Sequence, residues 1–161
     1  MAFDESKYRR GYSIGVGGVV LCGDKALLVR RALGGYVGAW AIPGGFIERD
    51  ETIDVAVRRE VFEEAGVKAE IEGLIAVRSR TTDDENSAYF IFLLRTADEE
   101  ARADGFEVDQ ARFFTLTEVQ ALPRLQALSR LAVTQALRGE ATVLTFHAHP
   151  EIPPEEYVIY A

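Results

Sequence analysis

Cysteine is nearly absent from this sequence. Cys22 stands alone, which leaves no disulfide framework and no thiolate metal cluster, and makes a reducing compartment the natural setting. Long apolar runs are missing as well. No stretch approaches the ~20 residues that a membrane helix needs, and Met1 to Gly11, carrying Asp4, Glu5, Lys7, Arg9 and Arg10, has nothing like the apolar core of a signal sequence. The expected location is therefore cytoplasmic, with no membrane partner. Basic charge is scarce: 18 Lys and Arg face 26 Asp and Glu, a formal charge of −8, so no polymeric nucleic acid is expected as a partner. Repeats, low-complexity tracts and linkers are lacking too, and 161 residues then read as a single domain.

What is present is a globular composition, 48% hydrophobic and 27% charged, which favours a folded enzyme or binding module over a disordered chain. Ser13 to Leu21 is rich in β-branched residues and glycine; with the turn Cys22-Gly23-Asp24-Lys25 and the run Ala26 to Val29 it predicts a hairpin. Leu33 to Gly38 holds three glycines and reads as a loop, followed by a short strand over Trp40 to Ile42 that Pro43-Gly44-Gly45 stops. Thr52 to Ala65 contains neither Gly nor Pro, has a capping residue in Thr52, and ends before Gly66, which predicts a helix. Strands are expected over Val67 to Val77, Ala88 to Leu94 and Ala111 to Leu116, a short helix over Thr117 to Leu122, an amphipathic helix over Arg124 to Leu137, and a late strand over Ala141 to Phe146. The tail from Pro150 to Ala161 fits either a docked arm or a loose end. A mixed sheet with helices on its faces, an α/β fold, is the implied architecture.

The predicted helix over 52–65 carries an arrangement that costs stability. Glu60, Glu63 and Glu64 stand at i, i+3 and i+4, so three carboxylates emerge on one face within a turn. Like charges so spaced destabilise a helix by roughly 0.2–0.5 kcal/mol per pair, which points to a missing counterion. Hard carboxylate oxygens select magnesium, manganese or calcium over zinc, and magnesium binds through a few carboxylates with substrate phosphates and water completing its shell. Arg59, next to the cluster, can hold one glutamate ionised and oriented, whereas Arg58 points elsewhere. A merely solvated acidic face is the plain alternative for three glutamates taken alone.

The surrounding residues decide between the two. Gly45 is followed by five residues, Glu51, seven residues, Arg59-Glu60-Val61, one residue, Glu63-Glu64, one residue and Gly66-Val67. This run resembles the Nudix box without a departure, a match expected by chance in well under about one chain in a million of this length. Trp40 and the Pro43-Gly44-Gly45 approach are similar to the family's lead-in. The element order from Tyr12 to about Leu122 is similar to the Nudix α/β/α sandwich with its mixed β-sheet. The resemblance thus implies one Nudix hydrolase domain over 1–161, with its core over about 12–122; the C-terminal helix and arm, 123–161, lie outside what it accounts for.

By the same resemblance Glu60, Glu63 and Glu64 are the metal-binding acids for Mg²⁺, with Mn²⁺ as the alternative ion, and the backbone carbonyl of Gly45 or Gly44 adds a donor. Glu51 and Arg59 resemble the family's supporting pair, although a charge near a helix N-terminus also suits Glu51. Glu107, before the Arg112-Phe113-Phe114 strand, occupies the place of the family's later acid, as ligand or general base; Asp83, Asp84 and Glu85 are its rivals. The base is to be sought among Glu60, Glu63 and Glu107. His147 and His149 are read as surface or packing residues. Tyr36, Trp40, Phe46 and Tyr89 are candidates for stacking on a base, and Arg30, Arg31, Arg78 and Arg80 for reaching phosphates. The implied activity is hydrolysis of the diphosphate linkage in a nucleoside diphosphate joined to another moiety, ADP-ribose being one candidate. Nucleoside triphosphate pyrophosphohydrolysis is the enzymatic alternative, and a noncatalytic nucleotide sensor the other, against which every box acid is retained. Subfamily marks are missing: no proline near Thr82, no tyrosine a few residues later, and no NADH-type motif. A homodimer is expected from relatives that often pair.

Overall fold

The computed structural model describes residues 11–83, 85–148 and 158–161. Strand β1, Gly11–Cys22, turns through Gly23-Asp24 into β2, Lys25–Arg31, with Leu21 opposite Ala26 and Cys22 opposite Lys25. This is the expected hairpin, and Cys22 is buried at its end. A short 3₁₀ turn over Gly34–Tyr36 leads to β3, Trp40–Ala41, and β4, Gly44–Phe46. Then come helix α1, Ile53–Ala65, and the long strands β5, Glu70–Thr81, and β6, Glu85–Arg95. Strand β7, Val108–Thr115, runs straight into helix α2, Leu116–Ala121, and helix α3 covers Ala127–Leu137.

The seven-stranded sheet follows the order β3-β2-β1-β6-β5, with β4 also on β1 and β7 also on β2. Strand β1 pairs with β6 in parallel and with β2 and β4 antiparallel, so the sheet is mixed. Because side chains alternate along a strand, β1 feeds two cores. Val16 and Val20 join Val57, Val61, Phe92 and Leu94 beneath α1, while Val19 and Leu21 join Phe114, Val119, Ala132 and Val133 beneath α2 and α3. Gly18 lets α1 approach: a Cβ there would lie 2.8 Å from Val61 Cγ2 and 3.0 Å from Leu94 Cδ1. This is the mixed sheet with helices on its faces that the residue pattern implied, and the sandwich that the Nudix resemblance implied.

Several boundaries differ from the sequence expectation, each for a physical reason. Thr52 is the N-cap of α1, its carbonyl accepting the Ala56 amide at 2.9 Å, but its hydroxyl makes no capping bond and donates instead to Asp54 at 2.5 Å. Strands β5 and β6 extend past their apolar runs into the stretch read as a polar turn, held by backbone pairing such as Arg80 with Ser87 and Thr81 with Asn86. Helix α2 begins a residue early because Thr115 caps it, its own amide donating to Glu118 at 2.8 Å and the Glu118 amide donating back to its hydroxyl at 3.4 Å. Helix α3 begins at Ala127, since Arg124 adopts φ 56 and Leu125 bridges to Trp40.

Near the C-terminus, Leu144 bridges to Leu74, and Phe146–Ala148 (β8) pairs with Val158–Tyr160 (β9), so the late strand lies beyond the segment assigned to it. Tyr160 packs edge-on against Phe92, with ring centroids 5.2 Å apart, and this end of the tail is therefore docked. His149 and Pro150 to Tyr157 lie outside the described residues. No helix among the described residues is long and apolar enough to cross a membrane.

Candidate active site

Helix α1 positions three acids differently, although one turn holds them all. Glu64 is buried, at 4% exposure, and accepts the Gly44 amide at 2.9 Å. Burial pushes its carboxyl up to about 7, with Glu60 and Glu107 adding repulsion and the Gly44 amide opposing. Glu60 is half-buried against the Gly45 backbone, where a Cβ would meet its Oε1 at 2.5 Å. Its carboxyl is also raised, first by burial, against the pull of Arg59. The Glu63 side chain is 58% exposed and rests on Arg59 at 3.1 Å. One position along a helix rotates a side chain by about 100°, and that separates the buried Glu64 from the exposed Glu63.

Arg59 ties the loop to the helix. Its guanidinium donates to both Glu51 oxygens, at 2.7 and 3.1 Å, to Glu60 at 2.9 Å, to Glu63 at 3.1 Å and to the Phe46 carbonyl at 3.0 Å. Glu51 in turn accepts the Glu48 amide at 2.7 Å. The bond from Arg59 holds the Glu51 carboxyl below the usual carboxylate range, and the same bond holds the guanidinium charged. Arg58 faces away, 4.0 Å from Asp54.

Glu107 reaches the site from the turn before β7. Asp104 makes that turn by accepting the amides of Phe106, Glu107 and Val108 at 2.9, 3.2 and 2.9 Å, with Gly105 at φ 78. Burial alone would raise Asp104, but these amides together hold it low. Sequence reasoning missed Asp104, although an Asp-Gly step after a polar loop was a readable turn signal.

Glu60, Glu63, Glu64, Asp104 and Glu107 line a cleft of about 1370 Å³ that also takes in Arg31, Arg78 and Arg80, while Glu51 stands outside its lining. That exceeds the ~300–1,000 Å³ of common ligand pockets, so it suits an extended substrate better than a compact one. Of the other residues singled out, Arg30 is paired with Asp109 at 2.8 Å, and Trp40 is core, edge-on to Phe114 at 5.0 Å. Tyr36, Phe46 and Tyr89 line the cleft. Asp83 and Glu85 do not line it, and Asp84 lies outside the described residues. His147 sits on β8 opposite Ile159. Arg124 and Gln126 also line the cleft, and no local signal marked either.

The donor set is all oxygen, which suits a hard divalent cation. Two carboxylates raised first by burial, Glu60 with Glu63 and Glu107 adding repulsion and Glu64 with Glu60 and Glu107 adding it, are what a cation would relieve. No three acidic, histidine or cysteine side chains among the described residues form a ready metal-binding group. An ion held by one or two carboxylates, with substrate and water filling the rest of its shell, requires none.

Comparison with known proteins decides the family, because the NUDIX domain model matches residues 11–137. The chain belongs to the Nudix family. This Nudix pyrophosphohydrolase is 33% identical over 126 residues to the ADP-ribose pyrophosphatase of Methanocaldococcus jannaschii, covering 76% of the chain and 72% of that protein. It is 44% identical over 72 residues to a MutT-like protein of Streptomyces ambofaciens, spanning 44% of the chain and 45% of that relative. Among solved structures, the MutT Nudix hydrolase of Burkholderia pseudomallei superposes with a TM-score of 0.66 at 26% identity, over 77% of this chain and 97% of that one. The Nudix domain of Shewanella oneidensis NrtR, crystallised with ADP ribose, superposes at 0.72 with 20% identity, over 85% and 93%; that likeness concerns the fold. Nudix hydrolases as a family generally depend on a divalent metal.

Proposed function

We propose that this Nudix hydrolase cleaves the diphosphate linkage of a nucleoside diphosphate joined to another moiety, with ADP-ribose the first candidate and Mg²⁺ the ion. One observation carries the reading: a single cleft receives acids from α1 and the Glu107 turn, and guanidinium groups from β2 and β5. A diphosphate needs both, a cation site against its oxygens and cationic side chains around it. The 33% identical relative named an ADP-ribose pyrophosphatase supports the choice of substrate.

In this reading Glu60 and Glu64 would hold the ion, with the Gly45 backbone and Glu63 as further oxygen donors at its edge. When bound, the ion supplies charge neutralisation on the phosphoryl oxygens and makes water more acidic. Glu51 and Arg59 fix the loop Gly44 to Glu48 against α1, so that the carboxylates keep their spacing. Glu107, whose turn Asp104 fixes, takes up the proton from the attacking water, with Glu60 and Glu63 as the alternatives for that role.

The test is a panel of nucleotides incubated with Mg²⁺ and resolved by product chromatography. The expected result is AMP and ribose 5-phosphate from ADP-ribose. Release of pyrophosphate from nucleoside triphosphates instead would favour the pool-cleaning alternative, and no turnover of any compound would defeat the reading.

A further inference from the structure

Tyr89 has no part in the reading above, yet the fold makes room for it at some cost. It lies on β6, paired with Gly15 of β1 on one side and Arg78 of β5 on the other. Two glycines, Gly15 and Gly17, accommodate its ring, and Gly44 stands at its hydroxyl, where the Val16 carbonyl already excludes a side chain. A Cβ on Gly15 would fall 2.7 Å from the ring, and Cβ atoms on Gly17 and Gly44 would fall 2.6 and 2.5 Å from its hydroxyl. The phenol oxygen therefore rests where β1 meets the Gly44 backbone, the same residue whose amide is given to Glu64. The Arg78 guanidinium lies over the ring, 5.5 Å from its centroid, and is steadied by a 2.6 Å bond to Ser87.

The hydroxyl makes no hydrogen bond to any described residue. Every fully enclosed polar side-chain atom among those residues has a partner, so this oxygen keeps an opening, and the opening is the cleft that Tyr89 lines. Largely buried tyrosines ordinarily find a partner for the hydroxyl, and side chains at Gly15 and Gly17 have been forgone to place this one. We propose that the Tyr89 hydroxyl binds substrate, donating a hydrogen bond to a phosphoryl oxygen at the border between the acid-bearing Gly44–Gly45 backbone and the Arg78 guanidinium. The inference rests on the diphosphate reading of the same cleft. A hydroxyl that donates cannot serve a cation with that proton; its natural partner is an anionic oxygen arriving with the ligand.

Tyr89→Phe keeps the ring in its glycine seat and removes only the donor. Wild type and variant are compared by calorimetry for binding methylenediphosphonate, a nonhydrolysable diphosphate, in saturating Mg²⁺, and for Mg²⁺ alone. The expected result is phosphonate binding weakened about 10- to 150-fold, as for one lost hydrogen bond to a charged group. Mg²⁺ binding and the melting temperature should stay unchanged, and for a hydrolysed diphosphate KM should rise more than kcat falls. Unchanged phosphonate affinity in Tyr89→Phe overturns the proposal, and so does an equal loss in the Mg²⁺ titration, which would make the hydroxyl a support for Glu64. Should the variant melt early, carbon NMR of wild type labelled at the tyrosine ring carbons decides: the Tyr89 hydroxyl-bearing carbon must shift on adding phosphonate, and an unmoved resonance sinks the idea. Wild type that binds no phosphonate and cleaves no diphosphate overturns the parent reading along with this one; normal wild type with an indifferent Tyr89→Phe overturns this one alone.

Discussion

Helices α1 and α3 cover opposite faces of the sheet and press on alternate residues of β1, yet they treat burial differently. Helix α3 buries Ala132, Val133 and Ala136, and its one buried polar residue, Ser129, accepts the Ile42 amide at 3.0 Å. Helix α1 buries Val57 and Val61 on the same principle, but then carries Glu64 into the interior beside Glu60. Burying a carboxylate against another costs free energy unless a cation answers it. One face of the sheet is thus packed for stability, and the other gives up part of it to hold acids in place.

The contrast is sharpest at Glu64. Glu64→Gln keeps the shape and the Gly44 contact but removes the charge, and should lower kcat by on the order of 100-fold or more. Its melting temperature in EDTA should equal or exceed that of wild type, because the repulsion with Glu60 is gone. Steady-state kinetics and a thermal melt check both halves, and a variant that is active but unstable would reverse the comparison.

The second expected effect concerns pH. Glu64 ionises near 4.5 when unfolded and near 7 when folded. The metal-free protein therefore has this contribution in full below about pH 4.5 and loses it as pH rises through about 7, by on the order of 3 kcal/mol at most. A cation on Glu64 offsets that loss. The rise in melting temperature on adding Mg²⁺ should accordingly grow between about pH 5 and about pH 7.5, and a rise independent of pH would place the ion elsewhere.

Third, Arg59→Lys replaces a fork that reaches Glu51, Glu60, Glu63 and the Phe46 carbonyl by a single point charge. Mg²⁺ affinity and kcat/KM should fall about 10- to 100-fold, which a metal titration followed through activity would measure. The smallest effect belongs to α3. Val133→Ala should cost about 1–2 kcal/mol in denaturant unfolding and leave KM and kcat within about 2-fold, whereas a large kinetic loss would mean that α3 shapes the site directly.

Helix α1 was the most legible element. Its length and its stop at Gly66 with φ 67 follow from local rules of spacing and capping, whereas the split of its acids between a buried Glu64 and an exposed Glu63 was set by packing against the sheet and not by spacing. The strand ends were less legible because pairing, not composition, sets them: Glu85 to Ser87 are polar and still lie on the ladder with β1. The cleft was the least legible. Arg30 and Arg31 are adjacent and chemically identical, yet alternation sends one to Asp109 and the other into the cleft. Nothing in a single strand says which side will hold the acids. Arg124 read as the start of a helix because its neighbours have helical spacing, but Trp40 claims its carbonyl at 3.0 Å and Val37 accepts its guanidinium at 2.7 Å. That contact joins residues 87 apart in sequence, beyond any local signal.

The central claim is that the α1 acids gather a divalent ion on which diphosphate cleavage depends. Turnover of ADP-ribose in excess EDTA, followed by stepwise return of Mg²⁺, tests it most directly. The account expects background rates in EDTA and saturable recovery with Mg²⁺ that Glu64→Gln fails to show; undiminished turnover in EDTA would contradict it.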